Sequence, residues 1–303
     1  MIDRLAGVEK DGSLRFEVEL DPKQEPFLKD HALNGIPLMP GVMGIEGFLE
    51  IARLAAAMVS EKKIYTASRL DEIQFLAPVK FYRDQPRRLT WMAKIEPHGD
   101  GLAARISLES DLELRSRAKE HLVHYSGRVL LDPSGKSRQP STSAPLEWDE
   151  SRQLMAKDIY RLFTHGPSFQ MLDGVCCTGG VLTAKFRMER PPIGADFLSP
   201  VNQQALVEMC LQTAVVWQVG KTGVLGLPQD ILGLRFYPWE THPDQLYARV
   251  KPAAGADGQI TYDAEVVDAQ GCIYLEMTGF RLALLPFITP PDLLRPFQAL
   301  VGA

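Results

Sequence analysis

Apolar and polar residues alternate over much of this chain, and two long stretches break that alternation. From Gly41 onward, Val42, Ile45, Leu49, Ala52 and Ala56 recur at three- and four-residue steps, the spacing of one helix face. The other faces hold Met43, Gly44, Gly47, Phe48, Ile51, Leu54, Ala55 and Ala57, and only Glu46, Glu50 and Arg53 carry charge. A helix apolar on nearly all sides is buried on nearly all sides. The spacing therefore predicts a buried helix from Gly41 to about Ser60, with Glu46 early in it. Asn202 to Gly220 (NQQALVEMCLQTAVVWQVG) repeats the pattern, with Ala205, Met209, Gln212 and Val216 along one side and Glu208 early.

Strands surround each helix. Leu14 to Leu20 (LRFEVEL) alternates apolar and charged, which predicts a strand with one wet face. Ala67 to Tyr82 reads as two strands broken at Pro78, and Leu89–Ile95, Ala103–Glu109 and His121–Leu131 follow, with turn signals at PHGDG and after Leu131. A second set comprises Phe169–Thr178, Val181–Met188, Ile231–Tyr237, Gln245–Val250, Ile260–Val267 and Ile273–Ala283, preceded by a short helix over Ser151–Phe163. Between the sets, Asp132 to Glu150 is rich in Ser, Pro and Gly and poor in apolar residues, the composition of a linker. The expected organisation is a unit over 1–132, a linker over 133–150 and a second unit over 151–303. Strands that come in runs, without intervening helices, favour antiparallel sheets. The fold class is α+β, one motif used twice.

At 303 residues and 45% apolar the chain can bury a large core, and its length suits two units better than one. The net charge of −5, with cations scattered, argues against nucleic acid, which requires a basic stripe. No apolar run reaches the length of a membrane span, and no basic-then-apolar leader opens the chain. The start on strand-like sequence suits a domain cut from a larger protein. Cys176, Cys177, Cys210 and Cys272 include no C-x-x-C spacing, which fits a reducing cytosol and argues against a zinc site. His121 and His124 point to opposite faces of an alternating strand, so they make no metal pair.

The chemistry concentrates before the first helix and inside the second. His31 opens a loop punctuated by Gly35, Pro37, Pro40 and Gly41. Pro40 suits a first-turn position, and Gly41 lets a backbone N–H approach a ligand closely. A helix start attracts a carbonyl oxygen or an anion, so a titratable imidazole stands near donors that polarise a carbonyl. Glu208 and Gln212, four apart, share a helix face. Ala205, Leu206, Val207, Met209, Cys210 and Leu211 around Glu208 make a solvent-facing carboxylate the weaker reading.

His31-x-x-x-Gly35-x-x-x-x-Pro40-Gly41 resembles the signature of polyketide-synthase dehydratase domains. The PLMPGV run also resembles the single-hotdog dehydratases of fatty-acid synthesis, and leans towards iterative systems such as polyunsaturated-fatty-acid synthases. Phe75 to Pro78 resembles the family's F-x-x-P segment, HYSG around His124 its HxxG strand, and Glu208-x-x-x-Gln212 its D-x-x-x-Q/H motif. FTHGPSFQ (Phe163–Gln170) resembles YGPxFQ, with His165 where a tyrosine is usual, and LRFYPW (Leu234–Trp239) matches a late stretch. The resemblance covers nearly the whole chain and implies a double hotdog, two antiparallel sheets each wrapped around a long central helix.

The family implies a dehydratase that converts a carrier-bound 3-hydroxyacyl thioester to the 2-enoyl thioester. His31 would be the base for the C2 proton, Glu208 the acid for the departing hydroxyl, Gln212 its orienting partner, and the Gly41 N–H the group that polarises the carbonyl. Gly35, Pro40, Gly41, His165, Gly166 and Pro167 would line the substrate, with His165 open between substrate contact and plain surface. His124 is expected to be structural. Met39, Phe48, Leu206, Phe236 and Trp239 could line an acyl tunnel, although each is more often simple core. Arg115, Arg117 and Lys119 read as a solvated strand edge before they read as a contact for an acidic carrier. A reciprocal site would need a histidine near Ile193, and none lies between His165 and His242, so one site is expected and Glu46 is a leftover.

No metal is implied, nor any cofactor beyond the phosphopantetheine arm of an acyl carrier protein. The implied partners are that carrier and other synthase domains in the cytoplasm, while homodimerisation stays open. One departure opens alternatives. Glu in place of Asp moves the carboxyl by roughly 1.5 Å, and a misplacement near 1 Å can cost about a hundredfold in rate. A catalytically silent acyl-binding or scaffold domain is one alternative, and a hotdog thioesterase or enoyl isomerase another.

Overall fold

The computed structural model describes residues 2–60, 63–113, 119–133, 142–144, 146, 148–193, 201–238, 243–255 and 258–302. Arg115, Arg117, Trp239 and His242, named above, lie outside them, as does the side chain of Lys119. The chain divides into two compact units, Met1–Ser137 and Arg138–Ala303.

The first unit comprises β1 (Arg4–Val8), β2 (Leu14–Leu20), α1 (Phe27–Asp30), β3 (Ala32–Leu33), β4 (Ile36–Pro37), α2 (Gly41–Val59), β5 (Tyr65–Phe75), β6 (Arg87–His98), β7 (Gly101–Glu113) and β8 (Lys119–Pro133). Its sheet runs β1-β2-β6-β7-β8-β5, antiparallel throughout, and β3–β4 is a separate hairpin. β2 alternates as its sequence requires: Leu14, Phe16, Val18 and Leu20 are buried, while the residues between them face outward. Helix α2 buries Val42, Ile45, Phe48, Leu49 and Ile51 against that sheet. Each such side chain stabilises the fold by about 1.5–3 kcal/mol relative to exposure.

The helix comes close to the sheet because glycine lines its contact face. A Cβ on Gly41 would lie 2.8 Å from the Phe75 ring, and one on Gly44 would lie 2.5 Å from that of Tyr125. One on Gly47 would come closer still to Trp91, whose ring meets Phe48 edge-on at 5.7 Å.

The second unit comprises β9 (Gln153–Met155), α3 (Ala156–Ile159), β10 (Leu172–Thr178), β11 (Val181–Phe186), α4 (Gln203–Thr222), β12 (Val224–Phe236), β13 (Leu246–Ala254), β14 (Ile260–Asp268), β15 (Ile273–Ile288) and α5 (Pro291–Val301). Its strands run β12-β15-β14-β13-β11-β10-β9, again antiparallel. With β9 set aside, β10, β11, α4, β12, β13, β14 and β15 repeat the order and pairing of β1, β2, α2, β5, β6, β7 and β8. The expected repeat is present. Helix α4 begins where the sequence placed it, with the Asn202 side chain accepting from the Ala205 N–H at 2.9 Å, and it ends at Gly223 in the left-handed region.

The structure differs from the sequence reading at several elements. Ser151–Phe163 is not one helix: a 3-10 turn (Glu150–Arg152) leads into β9 and the single turn α3, and β9 pairs with β10. No strand forms after Pro78, where only Lys80 bridges to Leu38. The later part of the expected linker is tied down, since Thr142 bridges Cys272, Ser143 N–H donates to the Gly271 carbonyl at 2.8 Å, and Arg249 donates to the Ala144 carbonyl at 2.7 Å. Helix α5 was not anticipated, because Pro290, Pro291 and Pro296 obscure its pattern. It packs on α4 with Phe297 fully buried, and a Cβ on Gly220 would lie 2.6 Å from the Phe297 carbonyl oxygen.

Among the described residues no helix is long and apolar enough to cross a membrane, and no cluster of three His, Cys, Asp or Glu side chains is placed to hold a metal.

Candidate active site

In the first unit, His31 ends α1 and opens the β3–β4 hairpin. Ala32 pairs with Pro37 and Leu33 with Ile36, leaving Asn34 and Gly35 as a two-residue turn with φ of 52° and 75°. Positive φ at both central positions defines the turn that matches strand twist, and Asn-Gly is its preferred sequence. Gly35 is thus a turn residue, required for its backbone conformation.

The hairpin brings Leu38 back to His31. The Leu38 N–H donates to the His31 carbonyl at 2.9 Å, and His31 Nδ1 lies 3.3 Å from the Leu38 carbonyl oxygen. A carbonyl can only accept, so in the neutral ring Nδ1 carries the hydrogen and Nε2 keeps the lone pair.

The segment between His31 and α2 is braced by the Phe75–Phe81 stretch and by β8. Met39 N–H donates to Val79 O at 3.0 Å, Phe81 N–H to Pro37 O at 2.9 Å, and the Tyr125 hydroxyl to Met39 O at 2.9 Å. Burial of that hydroxyl pushes its pKa up, so it remains a donor. Pro40 is the cap residue of α2 rather than a member of its first turn, and Gly41 is the first helical residue. The Gly41 N–H belongs to the first turn, whose N–H groups have no acceptor within the helix. The glycine itself is required by the Phe75 ring.

His124 is structural, as expected. It is buried, with Nδ1 3.1 Å from the Ala77 carbonyl oxygen and Nε2 2.8 Å from Ser110 Oγ, which also accepts from Arg87 Nη2 at 2.8 Å. Burial lowers its pKa, so the ring is held neutral.

In the second unit, α4 carries Glu208 and Gln212 on one face, both buried. Gln212 has no freedom to rotate. Its Nε2 donates to Glu208 Oε1 at 2.8 Å and to the Phe169 carbonyl at 2.7 Å, while its Oε1 accepts from the Tyr160 hydroxyl at 2.8 Å. Tyr160 in turn accepts from the Leu172 N–H at 2.8 Å, and burial raises its pKa out of reach of ionisation.

Facing the same carboxylate, His165 Nε2 lies 3.4 Å from Glu208 Oε1. Gly166 caps a 3-10 turn, Pro167–Phe169, which supplies the carbonyl that Gln212 uses. Glu208, Gln212, His165 and the Gly166–Pro167 loop therefore form one cluster. Met39, Phe48 and Leu206 are buried, and Phe236 is half-buried.

Two members of this cluster escaped the sequence reading. Tyr160 lies in IYRLF, and its one signal is a hydroxyl inside an apolar run. Arg190 donates from Nη1 to the Ser168 carbonyl at 2.9 Å and stacks its guanidinium over Phe186 at 5.4 Å. Burial lowers its pKa to about 10 against the opposing pull of Tyr160 and Glu208. A charged residue beside two prolines gives no sign of burial in sequence.

Two family profiles match the chain: one described as the polyketide synthase dehydratase domain over residues 2–108, and one described as the polyketide synthase dehydratase N-terminal domain over residues 137–287. The chain belongs to the polyketide synthase dehydratase family. It is 22% identical over 271 residues, 86% of its length, to polyketide synthase PksN of Bacillus subtilis (strain 168), and spans 5% of that protein. A trans-AT polyketide synthase dehydratase domain from Brevibacillus brevis superposes with a TM-score of 0.71 at 20% identity, covering 94% of this chain and 97% of that one. The dehydratase CurK, solved as an inactive aspartate-to-asparagine mutant, superposes with a TM-score of 0.65 at 18% identity, covering 94% and 98%. The fold shared with these dehydratases is the double hotdog.

Proposed function

We propose that this domain removes water from a 3-hydroxyacyl thioester carried on the phosphopantetheine arm of an acyl carrier protein, giving the 2-enoyl thioester within a multidomain polyketide synthase. His31 Nε2, the ring nitrogen with the lone pair, takes the C2 proton. The electrons of the broken C2–H bond form the C2=C3 double bond, and the C3–O bond breaks. The Glu208 carboxyl donates its proton to the departing hydroxyl, which leaves as water. The Gly41 N–H polarises the thioester carbonyl as charge builds on its oxygen. Afterwards His31 returns its proton to solvent and Glu208 takes one up, so the cycle balances without a cofactor of the domain's own.

The observation that carries this reading is the Gln212 carboxamide, locked at three points and aimed at a buried carboxyl. Burial favours the protonated form that an acid must have, and a fixed partner holds it at a defined place. The inactive CurK mutant lost a carboxyl, which supports the requirement for one here. Gly35 sets the hairpin, Pro40 and Gly41 set the helix start, and Gly166 and Pro167 set the loop beside the acid.

The carrier protein and the neighbouring synthase domains are the implied partners, and a cytoplasmic setting suits the four free thiols. The polyunsaturated-fatty-acid synthase alternative rests on the PLMPGV run alone. A second copy of the chain is a partner to test by sedimentation.

The test is turnover of 3-hydroxyacyl-N-acetylcysteamine thioesters, read by mass loss of water. Wild type should convert them, and His31→Ala and Glu208→Gln should each fall by about 10²–10⁴-fold, the usual contribution of a general base or acid. Silence of wild type on several chain lengths and on carrier-bound substrate would leave an acyl-binding domain. Release of free thiol would mark a thioesterase, and a 3-enoyl product an isomerase.

A further inference from the structure

His165 is placed to do more than line a wall. We propose that it is a positioning residue for the acid: its Nε2–H and the Gln212 carboxamide together hold Glu208 Oε1, so that the transferable proton sits on Oε2. This rests on the dehydration reading above.

Three observations carry it. His165 Nε2 lies 3.4 Å from Glu208 Oε1, and the two side chains are only 19% and 7% exposed. A surface histidine would be neither so enclosed nor so close to a buried carboxyl.

The loop that presents the ring is braced on both sides. Gln170 Nε2 donates to the His165 carbonyl at 3.1 Å, and Gln170 Oε1 accepts from Arg187 at 2.8 Å. The turn that follows is closed by Phe169 N–H to Gly166 O at 3.0 Å and clamped by Arg190 at Ser168 O. Phe163 packs against the imidazole with ring centres 5.9 Å apart.

The third observation is the crowding of donors on one oxygen. Oε1 takes Gln212 Nε2 at 2.8 Å and faces His165 as well. An oxygen that accepts from two N–H donors is a poor place for a proton, so the proton belongs on the other. A glutamate has one more rotatable bond than an aspartate, and pinning Oε1 from two directions removes that freedom. His165 and Glu208 are then a matched pair, each needed for the other to be useful.

The experiment is a double-mutant cycle on the full chain with the N-acetylcysteamine substrate. His165→Phe should lower kcat about tenfold or more while KM changes less than threefold, since a misplaced acid loses rate rather than binding. Glu208→Asp should also lower kcat. The double variant should be no worse than the weaker single, because either change already breaks the pair. His165→Gln, which keeps an N–H donor, should recover part of the loss. A rise in KM at unchanged kcat for His165→Phe, or strictly multiplying losses in the double variant, would overturn the proposal.

A second reading is independent of turnover. A crystal structure of His165→Phe should show the Glu208 carboxyl moved away from its 2.8 Å contact with Gln212 Nε2. An unmoved carboxyl sinks the pair even if dehydration is confirmed, and a displaced carboxyl in a domain whose wild type is inactive keeps the pair while removing the reaction.

Discussion

Helix α2 carries glycine at 41, 44 and 47, each facing an aromatic ring of its own sheet, whereas α4 has no glycine before Gly220. The sixth residue of each helix is a glutamate, Glu46 in α2 and Glu208 in α4. The tenth residue differs: it is Glu50 in α2 and Gln212 in α4. Glu50 has no N–H to offer a neighbouring carboxyl. Gln212 both donates and accepts, so it can grip Glu208, Phe169 and Tyr160 at once. One motif, repeated, has been specialised in two directions. The first copy is shaped for close packing and a fixed helix start, the second for holding a polar group inside an apolar shell.

The largest effect should come from giving α4 the pattern of α2. Gln212→Glu removes both Nε2 donors and places a second carboxyl beside Glu208. An unsatisfied buried partner costs about 1–3 kcal/mol, so kcat should fall about ten- to a hundredfold at 1.4 kcal/mol per decade. The mirror change, Glu50→Gln, should stay within about threefold of wild type, because no role in the reaction is assigned to α2's carboxylates. An equal loss in the two variants would erase the distinction between the helices.

Next in size is Gly47→Ala. Helix propensity alone predicts stabilisation by about 1 kcal/mol. The Trp91 ring predicts the opposite, a loss of about 1–3 kcal/mol through overpacking. Urea denaturation gives the sign directly, and a higher midpoint for Gly47→Ala would show that the first unit is not packed on its glycines.

The smallest effect concerns pH. His124 in β8 is held neutral by burial, so its pKa lies below the ordinary 6.5. Between those two values the unfolded chain binds more protons than the folded one, and stability rises with pH. The stability contributed is therefore present above about pH 6.5 and is lost as pH falls below it. Thermal melting should drop as pH is lowered from 7 to 5, and His124→Asn should flatten that slope. An unchanged slope would place the acid sensitivity elsewhere.

Much of the fold was legible in the sequence because period and burial agree. LRFEVEL alternates and forms β2 over the same seven residues, and the two nearly all-apolar runs form α2 and α4. What was hidden depends on tertiary context. Gln153, Leu154 and Met155 are all good helix formers and read as helix, and pairing with β10 makes them a strand. The Asn34–Gly35 turn was present in the sequence as the strongest short hairpin signal, yet its two-residue strands are too short to show alternation. At the site, the four-residue spacing of Glu208 and Gln212 placed them together, but Tyr160 and Arg190 reach the cluster from other elements across distances no local pattern encodes. Gly41 was read as making room for a ligand, and it also makes room for Phe75.

The glycine stripe has a consequence for how this domain can change over generations. A position filled to contact by a ring tolerates no enlargement, and glycine offers nothing to remove, so Gly41, Gly44 and Gly47 sit at a dead end of mutational drift. Along α4 a side chain can shrink at the cost of a cavity, or be exchanged for another of similar volume. A library of random variants sorted for folded protein should therefore be nearly monochrome at three points of α2 and varied along much of α4. The helix face by which the first unit meets its own sheet is frozen, and the room for variation lies along the helix of the second.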